Sequence, residues 1–327
     1  MHHGEISAEI AKGLKELRKR IAKSKIPSSE IDETLNLATW NIRKFGQTSR
    51  KTASLHYIAE IMGQFDLIAV TELQENLEDL SEVLKILGPY WRAVYSDFIK
   101  DQGNAKERMA YVFDKRAVSF TGLAAEADAP RKKMKNGEWI PEFSWWRSPY
   151  IASFRSGNFD FVLITAHIRW GSGKKARIKP LKLLAEWIHD RRENEFTADQ
   201  DIILLGDFNI PKLDDDLFKA ITSQGLDIPA PLRGLEHGSN LAKNKRYDQI
   251  LHYPVYDKKL IKKAGILNFF AGGEEGIKKL FPNENLGKTK FTYQLSDHLP
   301  LWVQLDTDID GEQLDQIINP KKGVGVA

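Results

Sequence analysis

The chain has 327 residues, of which 42% are apolar and 28% charged. That is the composition of an ordinary globular protein, and it excludes a disordered, collagen-like or coiled-coil chain. Lys and Arg total 48 against 45 Asp and Glu, so the net charge of +3 does not by itself announce a polyanionic partner. There are no cysteines, which excludes disulfides, zinc–thiolate sites, iron–sulfur clusters and thiol nucleophiles.

At about 150 residues per domain the length allows two domains, although large layered α/β folds use as much in one. The start, MHHGEISAEIAKGLKELRKR, has no apolar signal core. By default this places the chain as given in the cytoplasm, unless a signal was trimmed. No run approaches the roughly 18 apolar residues of a membrane span.

In chain order, Ile6, Ile10, Leu14, Leu17 and Ile21 fall at spacings of four and three, the apolar stripe of one helix whose other faces are rich in Lys and Arg. It reads either as a helix attached to the main domain or as a nucleic-acid or partner-binding arm. Ile26–Ser29 reads as a linker, so residues 1–33 form a helical extension and linker. From Leu35 short apolar runs appear: Leu35–Trp40, Leu67–Val70, Ala110–Phe113, Phe161–Thr165, Ile202–Leu205, Gln249–His252 and Leu301–Leu305. Helical patterns lie between some of them, at Ser54–Met62, Leu77–Leu87 and Pro180–Arg191. Many strands with few long crossovers predict an α/β layered protein with mixed sheets, spanning 34–306. Ala124–Phe143, which contains RKKMK, reads as a long polar loop, and 307–327 as a polar tail with a frayed end.

The informative feature is what ends each strand. Asn41, Glu72, His167, Asp207 with Asn209, and Asp297 with His298 stand where apolar runs give way to loops or begin. A lone His or Asp at such a place is usually a satisfied surface cap, but the whole set at strand ends describes one rim of a sheet. Hard oxygen donors, two histidines and no thiolate suit Mg²⁺, Mn²⁺ or Ca²⁺ better than zinc.

The strings LNLATWNIRKFG, FDLIAVTELQEN, KERMAYVFDK, LITAHIRWG, DIILLGDFNIP, RYDQIL and LSDHLPLWVQL, in this order, resemble the endonuclease/exonuclease/phosphatase superfamily from about Leu35 to Leu305. Within it the likeness is greatest to deoxyribonuclease I-like nucleases. The resemblance implies one catalytic domain, a four-layer α/β sandwich of two mixed sheets packed face to face with helices outside. It implies that Glu72 and Asp297 bind a divalent metal, with Asn41 close by. Asp207 and Asn209 of GDFN then hold the attacking water or a second metal and bind phosphate. His167 protonates the departing oxygen and is oriented by Glu107. His298 is the second histidine, oriented by Asp248. Arg43 and Arg147 contact phosphate.

The chemistry asks for such a set in any case. Water attacking a phosphodiester must lose a proton, and the leaving alkoxide must gain one or meet a metal. Two His–carboxylate pairs supply a base and an acid near neutral pH. Arginines and a divalent ion offset charge building on phosphorus.

Two departures bear on the substrate. Gln74 and Ala105 stand where the deoxyribonuclease I-like nucleases carry a groove-entering arginine and a sugar-stacking tyrosine. Basic residues recur in the loops beside the chemistry: Arg43, Lys44, Arg50 and Lys51; Arg131, Lys132, Lys133 and Lys135; Arg169, Lys174, Lys175, Arg177 and Lys179; Lys243, Lys245 and Arg246. Such runs are usually solvated surface, and their repetition at this rim favours a polyanion. Trp139, Trp145, Trp146 and Trp170 fall in the same loops, where packing and base stacking are both open. Asp306, Asp308, Asp310 and Gly311 copy half of an EF-hand loop, but Ile317 occupies the place of its bidentate Glu, so a polar turn is expected.

The reading is a Mg²⁺-dependent phosphodiesterase, a monomer acting on nucleic acid, with DNA favoured and no membrane or protein partner. Its rivals are an abasic-site nuclease of the exonuclease III type, a lipid or inositol-phosphate phosphodiesterase, and a non-catalytic binding module.

Overall fold

The computed structural model describes the chain except residues 48–49, 101–105, 143–144, 172, 237, 254–260 and 319–327. Helix α1 (Ala8–Lys23) precedes β1 (Thr34–Phe45), α2 (Thr52–Met62), β2 (Leu67–Leu73), α3 (Glu78–Leu87), β3 (Trp91–Tyr95), β4 (Ile99–Lys100) and β5 (Lys106–Asp114). Then come β6 (Ser119–Glu126), β7 (Arg131–Lys133), β8 (Trp139–Pro141), β9 (Tyr150–Ser156), β10 (Phe159–His167), α4 (Lys175–Arg192), β11 (Ile202–Asp207) and α5 (Asp216–Ile221). The chain closes with α6 (Ala230–Arg233), β12 (Asp248–His252), β13 (Ile261–Ile266), α7 (Gly273–Leu280), α8 (Lys288–Gln294), β14 (Leu301–Asp306) and α9 (Asp310–Ile318).

Seven strands form one sheet in the order β13-β14-β1-β2-β5-β3, with β4 on β5, and five form a second in the order β12-β11-β10-β9-β6. The β1–β2 and β10–β11 pairs are parallel and their neighbours antiparallel, so both sheets are mixed. Period-two alternation splits β1 between two cores. Leu35 and Leu37 face Leu163 and Leu205 of the second sheet, while Ala38, Trp40 and Ile42 join the helix side with Tyr57 and Ile61 of α2. Leu181, Leu184 and Ile188 of α4 cover the far face of the second sheet. The result is helix, sheet, sheet, helix: a four-layer α/β sandwich. Among the described residues no helix is long and apolar enough to cross a membrane.

Helix α1 buries Leu14, Leu17 and Ile21 in the helix-side core. Arg20, 4% exposed, donates to the carbonyls of Phe269 at 2.9 Å and Gly276 at 2.8 Å. Glu60 of α2 accepts from Arg18 Nε at 2.7 Å and lies 2.9 Å from His3 Nε2. Burial pushes the Glu60 carboxyl up, but Arg18 and His3 outweigh it and hold it below its ordinary value. Its stabilisation is therefore complete above the ordinary carboxylate range and is lost as pH falls through the lowered folded value. Glu60→Gln is expected to cost about 1–3 kcal/mol near neutral pH, and progressively less in acid as wild-type Glu60 protonates. Denaturant unfolding of both proteins across this range checks it; a pH-independent gap would show that the Glu60 charge does not tie α1 down.

Two expectations need correction. Ala124–Phe143 is not a loop throughout: β6 runs to Glu126, and β7 and β8 pair as a hairpin. The side chains of β7 and β8 are all exposed, so no buried face writes a period into the sequence. The turn expected after Asp306 is helix α9, whose Leu314, Ile317 and Ile318 are exposed. The linker is pinned, because the Pro27 and Ser28 carbonyls accept from Asn36 Nδ2 at 2.8 Å and Gln304 Nε2 at 3.0 Å. Ala105 and the Gly-Val-Gly-Val-Ala end lie outside the described residues.

Candidate active site

Register gathers the strand-end residues on one rim. Asp207, the last residue of β11, pairs with His167 of β10 on one side and Asp248 of β12 on the other. Gly206 before it has φ +139°, and a Cβ there would stand 2.0 Å from the Ala166 carbonyl oxygen, so the strand can close this tightly only with glycine. From the opposite sheet, Asn41 Nδ2 donates to Glu72 Oε1 and to Asp207 Oδ2, each at 3.0 Å, joining the two sheets. Glu72 Oε2 accepts from the Lys44 amide at 2.9 Å.

Two His–carboxylate dyads converge on Asp207. His167 Nδ1 lies 2.9 Å from Glu107 Oε2, and His298 Nδ1 lies 2.8 Å from Asp248 Oδ2. Their Nε2 atoms stand 3.7 Å and 3.8 Å from Asp207 Oδ2. Arg147 Nη2 donates to Glu107 Oε1 at 2.9 Å, holding the carboxylate that orients His167. Asn209 returns its amide to Asp207 Oδ1 at 2.9 Å and its side chain to the Ile168 carbonyl at 2.7 Å.

Burial lowers both imidazoles, but their carboxylates win. Glu107 and Asp207 hold His167 above its ordinary value, and Asp248 with Asp207 raise His298 to about 10. Burial likewise pushes Asp207 up, helped by Asp248 and opposed by His298 and His167. Glu107 is pushed up by burial but held below its ordinary value overall by His167 and Arg147.

Strain accompanies this geometry. Seven non-glycine residues among those described have positive φ, and four belong here: Lys44, Glu72, Trp146 and Asn209. Such backbone persists only where surrounding contacts over-determine it, and it clusters at functional sites. A cavity of about 860 Å³ opens over the rim, with Glu72, Glu107, Arg147, His167, Trp146 and Trp170 in its wall.

The sequence-predicted residues do not all point into it. Arg43 is turned onto α8, donating to Thr292 Oγ1 at 2.6 Å and Tyr293 OH at 3.1 Å, and it is not part of the cavity wall. Its guanidinium stands 3.8 Å from Asp297. Arg147 reaches the wall and also holds Glu107, so both arginines expected on phosphate make contacts within the protein. Arg50 is buried against the Arg43 and Lys44 carbonyls and Asp79. Lys51 pairs with Glu284 and Lys174 with Asp215, while Arg246 bonds the carbonyls of Leu232 and Leu235. Several of the rim cations are thus paired with carboxylates of the protein itself. Trp145 is core, packed edge-on to Trp187.

Sequence reasoning gave no separate role to Tyr247 or Arg177. The Tyr247 ring lies 5.9 Å from that of His298, and Arg177 donates to the Asn209 carbonyl at 2.9 Å. Their signals were adjacency to Asp248 and to the basic loop after His167.

The donor set fits a divalent cation. Asn41 Oδ1 and Asp248 Oδ1 are buried without a protein hydrogen-bond partner, and the neighbouring carboxylates offer further hard oxygens. Asp207, Asp248 and His298 also present ligand atoms within 4.8 Å of one another.

Fold and site together define a hydrolase built on a two-sheet sandwich. The endonuclease/exonuclease/phosphatase family model matches residues 38–298, and the chain belongs to that family. No curated protein matches it significantly. Among solved structures, a Bacteroides thetaiotaomicron endonuclease/exonuclease/phosphatase family protein is 18% identical with a TM-score of 0.57, covering 85% of this chain and 99% of its own. The mannosyl-6-phosphatase Bt3783 of the same organism is 18% identical with a TM-score of 0.54, covering 82% and 98%. D. rerio TDP2 complexed with a single-strand DNA product is 16% identical with a TM-score of 0.56, covering 84% and 99%. At these identities the likeness is one of fold.

Proposed function

We propose that the protein is a divalent-metal-dependent phosphodiesterase that hydrolyses nucleic acid, DNA foremost. The observation that carries this is the convergence of two His–carboxylate dyads on Asp207, beside Glu72 and Asn41. Glu72, Asp207 and Asn41 would hold the ion, with Asp297 at the edge of the set. When bound, such an ion supplies Lewis-acid stabilisation and a more acidic water. His167 holds its proton at Nε2 for the leaving oxygen, and Glu107, gripped by Arg147, keeps the ring oriented. His298, oriented by Asp248, is the second proton-handling group. Asn209, fixed to Asp207 and Ile168, positions the β11 end under the phosphate. The exposed Lys132 and Lys133 of β7 add cations on the segment leading to Trp146 and Arg147, while the neighbouring Arg131 pairs with Asp128.

Supercoiled plasmid, linear duplex, single-stranded DNA and RNA, each with Mg²⁺, Mn²⁺, Ca²⁺ or EDTA, test the reading. Cleavage of DNA that EDTA abolishes is the expected result. Intact substrates under every metal would overturn it.

A further inference from the structure

Trp170 is 64% exposed, three residues beyond His167, and belongs to the cavity wall that holds His167 and Glu107. A solitary exposed tryptophan is unremarkable, but this one is supported. Tyr247 meets its ring at 5.4 Å and 71°, and Tyr247 in turn lies against His298. The Arg177 guanidinium stands over the ring at 5.4 Å, fixed by its bond to Asn209. An aromatic surface is thereby held beside the reacting centre by Tyr247, which touches His298, and by Arg177, which is bonded to Asn209, while most of it faces solvent. Nearby, Arg169 covers the Trp146 ring at 3.7 Å, so a second planar surface faces the same cavity.

We propose that Trp170 is the platform on which an unpaired nucleobase beside the reacting phosphate stacks, so that the cavity takes single-stranded nucleic acid in preference to an intact duplex. This rests on the reading of a nucleic-acid substrate given above. A flat aromatic ring engages the face of a base, and every base has such a face, so stacking is tolerant of sequence. In a duplex those faces are covered by neighbouring pairs and only base edges show in the grooves. A cavity of about 860 Å³ is in the range that encloses small ligands. A nucleotide-sized group fits within it. Gln74 lines the same cavity and donates to the Glu72 carbonyl at 3.0 Å, so its side chain turns back onto its own loop.

The test is binding, which does not depend on turnover. Labelled tetrathymidylate with phosphorothioate linkages and the matching tetramer of abasic tetrahydrofuran units are titrated against the full chain in Mg²⁺. The wild-type protein should prefer the base-bearing strand by about ten- to a hundredfold. Trp170→Ala should erase most of that preference while leaving abasic binding unchanged, and Trp170→Phe should keep part of it. Equal binding of the two strands by the wild-type protein, equal weakening of both in Trp170→Ala, or no measurable binding of either overturns the proposal. Failure to hydrolyse any phosphodiester would defeat the catalytic reading while leaving this comparison intact. Hydrolysis without a base preference would defeat the platform alone.

Discussion

Removing either His167 or His298 is expected to lower kcat by about 10²–10⁴, the range of a general acid or base. His167 is buried and the His298 side chain is only 12% exposed, and each is bonded through Nδ1 to a carboxylate, at 2.9 Å and 2.8 Å. Each presents Nε2 to the same oxygen of Asp207. Groups meeting at one atom serve one reaction coordinate, so their losses should not multiply. The double variant His167→Ala/His298→Ala should be little slower than the slower single variant. Glu107→Gln and Asp248→Asn keep the shape but remove the charge that orients each ring, and they should give smaller losses in kcat with KM nearly unchanged. Single-turnover rates at saturating strand measure all five. Two modest losses that multiply would instead make the histidines packing or binding groups.

These residues were legible in the sequence because each stands at a strand end within a short, ordered motif. Strand register then does the rest: fixing His167 opposite Asp207 and Asp207 opposite Asp248 follows from β10, β11 and β12 being neighbours. The apolar runs marked the buried strands, since β1, β2, β10 and β11 are apolar on both faces. What stayed hidden lacked that signal. Strands β7 and β8 are exposed on all their residues, and β6 is nearly so. The direction of a long side chain is also a tertiary property. Nothing in NIRKFG tells that Arg43 folds back onto Tyr293, at 4.0 Å from its ring, instead of into the cavity. Nothing in the adjacent pair Trp145–Trp146 tells which is core and which is wall. The loop clusters of Lys and Arg therefore overstated the basic rim, because a sequence shows cations without their partners.

Glu72→Gln is expected to lower hydrolysis by at least about a hundredfold at saturating Mg²⁺, since a bound ion contributes several kcal/mol of charge stabilisation. Glutamine keeps the volume and can still accept from Asn41 or the Lys44 amide through its one carbonyl oxygen, so the strained backbone at φ +62° remains supported. What it loses is the negative charge beside Asn41 and Asp207. Unfolding curves of the two proteins should therefore lie close together while their affinities for Mn²⁺, measured by calorimetry, separate. Partial recovery of rate with rising Mn²⁺ would follow from weakened binding of the ion. The site also contains a second arrangement able to hold a cation, Asp207 with Asp248 and His298. The two arrangements predict opposite outcomes. If the second one holds the ion, Asp248→Asn weakens Mn²⁺ binding and Glu72→Gln leaves it intact. If Glu72 holds it, the order reverses, because Asp248 Oδ2 is already engaged by His298 and acts on the ring. A Glu72→Gln protein with wild-type rate and wild-type Mn²⁺ affinity would remove Glu72 from the metal site.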